Sequence, residues 1–229
     1  FQKRDIESVY SKEILDSPRE SPWGSTQREQ KYGLEFSLSE YEEISNYCLK
    51  KEIDWFVSSW DLKSQQEMRR FNFKFNKVAS AMATNENFLK LVASEKKPTF
   101  LSTGMTKISE IDKAVQIFAD HECELMLFHT VSTYPAEDSD LNLKCINTLK
   151  EKYNLPIGYS GHESSVSPSV VAAALGAPVI ERHITLDRAM YGSDQAASLQ
   201  YEGLKQLSTI VRKLPSILGS GEKTILSKE

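Results

Sequence analysis

Cysteine is scarce in this chain: Cys48, Cys123 and Cys145 are all there are in 229 residues, and none lies in CxxC spacing. Three scattered thiols exclude a disulfide framework and read as the reduced cysteines of a cytoplasmic protein. Positive charge is not in excess. The 28 Lys and Arg face 32 Asp and Glu, a net charge of -4, so no basic field awaits a nucleic-acid backbone and no such partner is expected. Long apolar runs are missing too, as is a signal-peptide pattern, and a membrane partner is not expected. No Pro/Gly/Ser-rich linker or short-period repeat divides the chain, which suits one domain over residues 1–229. An initiator Met is also lacking. Phe1-Gln2-Lys3 resembles the tail of a strand, and the sequence is expected to be a fragment of a longer protein.

What is present is a repeated alternation of strand and helix. Residues 3–36 are polar, with Ser-Pro and Trp-Gly punctuation, and fit an ordered excursion or mobile loop better than a regular element. A helix is then predicted from Ser39 (as N-cap) to Lys51, and a strand over Ile53 to Ser58. Helix Asp61 to Phe71 precedes strand Phe73 to Ala79. Helix Asn85 to Ser94 precedes strand Thr99 to Ser102, and an amphipathic helix over Ile108 to His121 precedes strand Leu125 to Thr130. Next come a helix over Leu141 to Tyr153, a strand over Leu155 to Tyr159, a helix over Val170 to Leu175, a strand over Pro178 to Ile180, and a helix over Tyr201 to Leu218 closed by Gly219. Repeated β-α units mean a parallel sheet, either open and doubly wound or closed as a barrel. Polar residues stand after every strand, among them Ser58, Ser80, Ser102, Ser132, Ser160 and His183. An open sheet would gather them at one switch point, so the distribution favours a (β/α)8 TIM barrel, here short of eight units.

Of the four histidines, His162 and His183 carry the most information. Each follows a predicted buried strand, and the two strands are joined by a crossover helix, so their ends fall on the same side of the sheet. Two imidazoles so placed can share one metal ion. The alternative is a pair of core or surface histidines with satisfied hydrogen bonds. His129, also at a strand end, reads as structural, with a third metal neighbour as the alternative. His121 reads as a surface residue at a helix C-terminus.

At this point the chain resembles a known family. Phe1-Gln2-Lys3, Lys77-Val78-Ala79-Ser80, Ser102-Thr103-Gly104-Met105, Ser132-Thr133-Tyr134-Pro135, Gly158-Tyr159-Ser160-Gly161-His162-Glu163, Glu181-Arg182-His183-Ile184-Thr185-Leu186-Asp187 and Gly192-Ser193-Asp194 follow the order and spacing of sialic acid synthases, over essentially the whole chain. The resemblance implies a (β/α)8 barrel that condenses phosphoenolpyruvate with N-acetylmannosamine, or a related N-acetylated hexose, with release of phosphate. It implies a divalent metal held by His162 and His183, usually Mn2+, with Mg2+ or Co2+ as alternatives. It matches Gln2, Ser58, Lys77, Ser80, Ser102, Ser132, Tyr134 and Ser160 to phosphoenolpyruvate-binding positions and Asp194 to an acidic residue of the sugar site. By the same comparison the first strand-helix unit precedes Phe1. A C-terminal antifreeze-like domain, which lends an arginine across a homodimer, would follow Glu229.

The residues are compatible with that chemistry. Lys77 stands in an apolar strand, where a charge needs an anionic partner. The strand-end serines, Thr103 and the amides of the Gly104 turn would supply donors to a phosphate and a carboxylate, although each serine alone is also an ordinary turn residue. Asp194 is a candidate proton acceptor, with an Asx-turn as its plainer reading. Glu163 and Glu181 flank the histidines and are expected to orient them. Met82 stands where some family members have a glutamate, which removes any general base there, and Gln195 replaces a common histidine. Trp60 and Tyr191 are candidate apolar walls. Two competitors remain: a metal-dependent hydrolase on the same scaffold, and a truncated scaffold without catalysis. Missing one strand, a barrel exposes two unpaired edges, so the isolated 229 residues are expected to be poorly soluble and inactive.

Overall fold

The structure, a computed structural model, describes residues 1–225 and 227–229. The chain divides into two units, Phe1–Leu127 and Phe128–Glu229.

In the first unit, strand β1 (Gln2–Lys3) leads into an excursion that is more regular than its composition suggests. It holds helices α1 (Ile6–Val9) and α2 (Lys12–Leu15), an antiparallel hairpin of β2 (Pro18–Ser21) and β3 (Gly24–Thr26), and helix α3 (Gln27–Leu34). Its apolar anchors are few, chiefly Ile6 and Leu15. Order comes instead from caps and ion pairs: Thr26 and Glu29 form a capping box on α3, and Arg28 pairs with both Glu7 and Asp16. Helix α4 (Leu38–Lys50) starts one residue before the sequence expectation. Ser37, not Ser39, is the N-cap, in a capping box with Glu40.

The remaining strands of this unit are β4 (Ser58–Ser59), β5 (Asn76–Val78), β6 (Thr99–Ser102) and the start of β7 (Leu125–Thr130). Helices α5 (Leu62–Met68), α6 (Glu86–Ala93) and α7 (Ile108–Asp120) alternate with them. Strands β4 and β5 are shorter than their predicted spans because the apolar residues before them pack without joining the ladder. Trp55, Phe56, Phe71 and Phe73 surround buried Tyr41, Val57 and Met68 instead, with Trp55 edge-on to Phe73 at 4.7 Å between ring centroids. Pairing is parallel and in chain order: Gln2 opposite Ser58, Ser58 opposite Lys77, Lys77 opposite Phe100. On the outer layer α6 buries Phe88, Leu89, Val92 and Ala93, and α7 buries Ile111, Ala114, Ile117 and Phe118. Each large apolar side chain removed from water in this way contributes about 2 kcal/mol.

The second unit begins within β7 and contains helix α8 (Cys145–Tyr153), strand β8 (Ile157–Gly161), helix α9 (Ser167–Ala174), strand β9 (Ile180–Arg182) and helix α10 (Tyr201–Leu218). Helix α8 starts later than the expected Leu141, because Asn142 takes a positive φ of 42° that an α-helix does not allow. Both histidine strands lie two residues further along the chain than predicted. Their register fixes this: Tyr159 faces Ile180, Ser160 faces Glu181, and Gly161 faces Arg182. His162 and His183 are therefore the first residues beyond paired strand ends. Among the described residues, no helix is long and apolar enough to cross a membrane.

Candidate functional site

Side chains two residues apart on a strand share a face. In the first unit, that rule and the register place Gln2, Ser58, Lys77 and Phe100 on one face, and Ser102 follows Phe100 on it. Lys77 is buried, and its Nζ donates to Ser102 Oγ at 2.7 Å and to the Val78 carbonyl at 3.2 Å. The Ser58 hydroxyl is buried as well and has no hydrogen-bond partner among the described residues. Ser80 Oγ accepts the Gly104 amide at 3.0 Å, joining two strand ends. That amide is thus engaged with Ser80, whereas the sequence suggested it as a donor for a ligand. Met82 is buried in the turn after Ser80.

Sequence reasoning missed Arg4. Its guanidinium lies 4.1 Å from the Trp60 ring centroid, pairs with Glu35 and donates to Gln2 Oε1. Trp60 is therefore a stacking partner for a cation as well as an apolar surface, and its buried indole N–H has no partner among the described residues.

In the second unit, alternation sorts the β8–β9 pair into two faces. Ser160 and His162 share one with Glu181 and His183; Ser160 Oγ donates to Glu181 Oε1 at 2.8 Å. The two imidazole centroids are 5.2 Å apart. His162 is fixed at both nitrogens: Nδ1 is 2.6 Å from the Val131 carbonyl, and Nε2 is 3.0 Å from the Tyr134 hydroxyl. A carbonyl can only accept, so Nδ1 carries the proton and Nε2 presents a lone pair. Burial pushes the His162 pKa down, and the neighbouring His183 adds to the shift, which keeps the ring neutral. The Tyr134 phenol is pushed up to about 12, first by burial and then by the Asp194 and Glu181 carboxylates, so it stays protonated. His183 Nδ1 lies 3.5 Å from Asp194 Oδ2. Asp194 also accepts from the Ser193 hydroxyl at 2.7 Å.

The opposite face of the same strands carries Tyr159, Glu163 and Arg182. Glu163 points away from the imidazoles and accepts from Tyr159 Oη, Ser169 Oγ and Arg182, each at 2.9 Å. Glu163 thus makes no side-chain bond to a histidine and lies in this buried network, whereas Glu181 is on the histidine side, bonded to Ser160. His129 is a core residue: Nε2 lies 2.7 Å from the Leu141 carbonyl, and burial pushes its pKa down. His121 caps α7, with Nδ1 2.8 Å from the Ile117 carbonyl. Ser132 is half-buried, Gln195 donates to the Tyr191 carbonyl, and Tyr191 lies at an exposed edge.

Among the described residues no group of three or more His, Cys, Asp and Glu is gathered as a metal cage. The donor set of His162 and His183 nevertheless fits a divalent ion whose other positions go to water and substrate. One ring is neutral, and its Nε2 lone pair, which accepts from the Tyr134 hydroxyl, would take an ion in exchange for that bond; the other has a carboxylate beside Nδ1, the usual outer partner of a ligating histidine.

The NeuB family model matches residues 1–223. The mouse N-acetylneuraminate-9-phosphate synthase is 35% identical over 232 residues, covering 100% of this chain and 65% of that protein. The N,N'-diacetyllegionaminic acid synthase of Campylobacter jejuni is 35% identical over 199 residues, covering 86% of this chain and 60% of its own length. This chain thus spans about three-fifths of the length of the curated relatives it matches. Among solved structures, the N-acetylneuraminic acid synthetase of Leptospira borgpetersenii matches with a TM-score of 0.87 at 30% identity, over 100% of this chain and 76% of that one. A truncated 3-deoxy-D-arabino-heptulosonate 7-phosphate synthase of Thermotoga maritima shares the fold, with a TM-score of 0.68.

Proposed function

This chain belongs to the NeuB family, and from that premise we propose that it is the barrel portion of a cytoplasmic nonulosonic acid synthase. The proposed reaction joins phosphoenolpyruvate to N-acetylmannosamine, its 6-phosphate or a related N-acetylated hexose. The observation that carries the reading is the neighbouring placement of His162 and His183 at paired strand ends, 5.2 Å apart, with the His162 Nε2 lone pair oriented. The relatives' names support a sugar-acid product.

In this reading Lys77, Ser58, Ser80, Ser102 and Gln2 hold the phosphate and carboxylate of phosphoenolpyruvate. The Ser58 hydroxyl, buried without a partner, gains one from the ligand. Ser132, Tyr134 and Ser160 complete the polar set. His162 and His183 hold a divalent ion, Mn2+ by family resemblance, which when bound supplies Lewis-acid polarisation of the sugar aldehyde. The methylene carbon of the enol phosphate forms the new bond to the aldehyde carbon, whose oxygen takes up a proton; water adds to the carbon that bears the phosphate, and cleavage of that C–O bond releases phosphate and leaves a ketone. Asp194 accepts the proton of that water, and the adjacent His183 holds the carboxylate in place. A homodimer of the full-length protein, with an arginine crossing from a C-terminal domain, belongs to the same proposal.

Phosphate release by the full-length protein with Mn2+ tests it. Release should require both phosphoenolpyruvate and an N-acetylated hexose, and a panel of N-acetylmannosamine, its 6-phosphate and the diacetamido-hexose precursors should single out one sugar. Release from phosphoenolpyruvate alone, or hydrolysis of an unrelated ester, would point to the hydrolase alternative.

A further inference from the structure

Arg182 precedes His183 and Glu163 follows His162, and both side chains are almost wholly enclosed, 2% and 1% exposed. A single guanidinium reaches three of the segments around the histidines. Its Nη1 donates to Glu163 Oε1 at 2.9 Å, to the Ser165 carbonyl at 2.9 Å and to Ser169 Oγ at 3.0 Å. Its Nη2 donates to the Glu163 carbonyl and, at 3.4 Å, to the Ala197 carbonyl in the turn that follows Asp194. The loop after His162, the first turn of α9 and the turn beside Asp194 are therefore tied to the residue before His183. Two more bonds close the assembly: the Leu199 amide donates to the His183 carbonyl at 2.8 Å, and Ser198 Oγ donates to the Asp194 carbonyl at 2.8 Å.

Gly161 makes room for this arrangement. A Cβ there would lie 2.5 Å from Glu163 Oε2 and 2.7 Å from the Tyr159 ring, so the carboxylate occupies space that only glycine leaves free. Glu163 is further anchored by Tyr159 and Ser169, so its position is set from three directions.

We propose that the buried Glu163–Arg182 pair is a positioning clamp that sets the separation and aim of His162 and His183 from the opposite face of the strand pair. The clamp touches neither imidazole. It fixes the backbone on which each ring is mounted, one residue away in both cases, and Arg182 rather than lysine suits it because a planar fork can serve several acceptors at once. This inference rests on the reading of the histidines as one ion site.

Co2+ substituted into the full-length protein provides the test, because its visible absorption reports ligand geometry independently of turnover. Arg182→Lys keeps the charge and loses the fork. The double variant Glu163→Leu/Arg182→Met removes both charges together, so that neither is left buried without its partner. Either folded variant should bind Co2+ about ten- to a hundredfold more weakly, with shifted absorption bands. Wild-type bands and affinity within twofold in either folded variant would overturn the clamp. His162→Ala separates the two ideas: if it leaves the Co2+ spectrum untouched, the ion-site reading itself falls, whereas a histidine-dependent spectrum indifferent to Arg182 removes the clamp alone.

Discussion

The two polar groups of this protein are built on opposite principles. In the first unit Lys77 is buried in an apolar strand and bonded to a hydroxyl and a carbonyl, while the Ser58 hydroxyl on the neighbouring strand has no partner. In the second unit His162 is held at both ring nitrogens, and a closed network of Glu163, Arg182, Tyr159 and Ser169 backs its strand end. The first group leaves a buried hydroxyl unsatisfied, whereas the second has its ring nitrogens and its backing carboxylate bonded. Under the proposed reaction, the former suits a site that exchanges an anionic ligand and the latter a site that aims two imidazoles at one point.

The sharpest way to break this contrast is at Lys77. In Lys77→Met, phosphate release by the full-length protein should fall by about a thousandfold, while the thermal midpoint holds or rises because a buried charge is gone. A large drop in stability would mean that Lys77 serves the fold, not a ligand. On the other side, Gly161→Ala forces a Cβ against the anchored Glu163 carboxylate and should cost about 2 kcal/mol in denaturant unfolding. Unchanged stability there would show the histidine side to be looser than its bonds imply.

Ser58→Ala should have a smaller effect and the opposite balance. Stability should stay within about 0.5 kcal/mol, since no bond is lost, while KM for phosphoenolpyruvate rises several-fold, corresponding to about 1 kcal/mol. The gentlest test is pH. Burial lowers the pKa of His129 and His162 below the ordinary 6.5, so the unfolded chain takes up protons first as the solution is acidified. Stability should therefore be full above about pH 6.5 and decline as the pH falls below it. His129→Gln, which keeps a donor for the Leu141 carbonyl, should make that decline shallower in urea titrations between pH 7 and 5.

Much of this architecture is legible in the sequence, and the exceptions are instructive. Strands Thr99–Ser102 and Leu125–Thr130 fall where apolar patterning puts them, because nearly all of their residues are buried, and helix Tyr201–Leu218 follows its periodicity with Leu207 buried and Val211 and Leu214 half-buried. The last two residues of β9 escaped because Glu181 and Arg182 read as loop residues; their partners, Ser160 and Glu163, cannot be seen in a linear pattern. The excursion escaped for a related reason, since pairs such as Arg28 with Glu7, far apart in the chain, order it in place of a buried stripe. Both histidines were visible as strand-end residues. The carbonyl that fixes the His162 tautomer, contributed by Val131, was not, nor was Arg4 against Trp60.

Mn2+ titration of the full-length protein, followed by electron paramagnetic resonance, bears most directly on whether the paired imidazoles form one ion site. One ion should bind per chain, and His162→Ala and His183→Ala should each weaken it by at least a hundredfold. Two folded variants that both bind Mn2+ as tightly as the parent would contradict it.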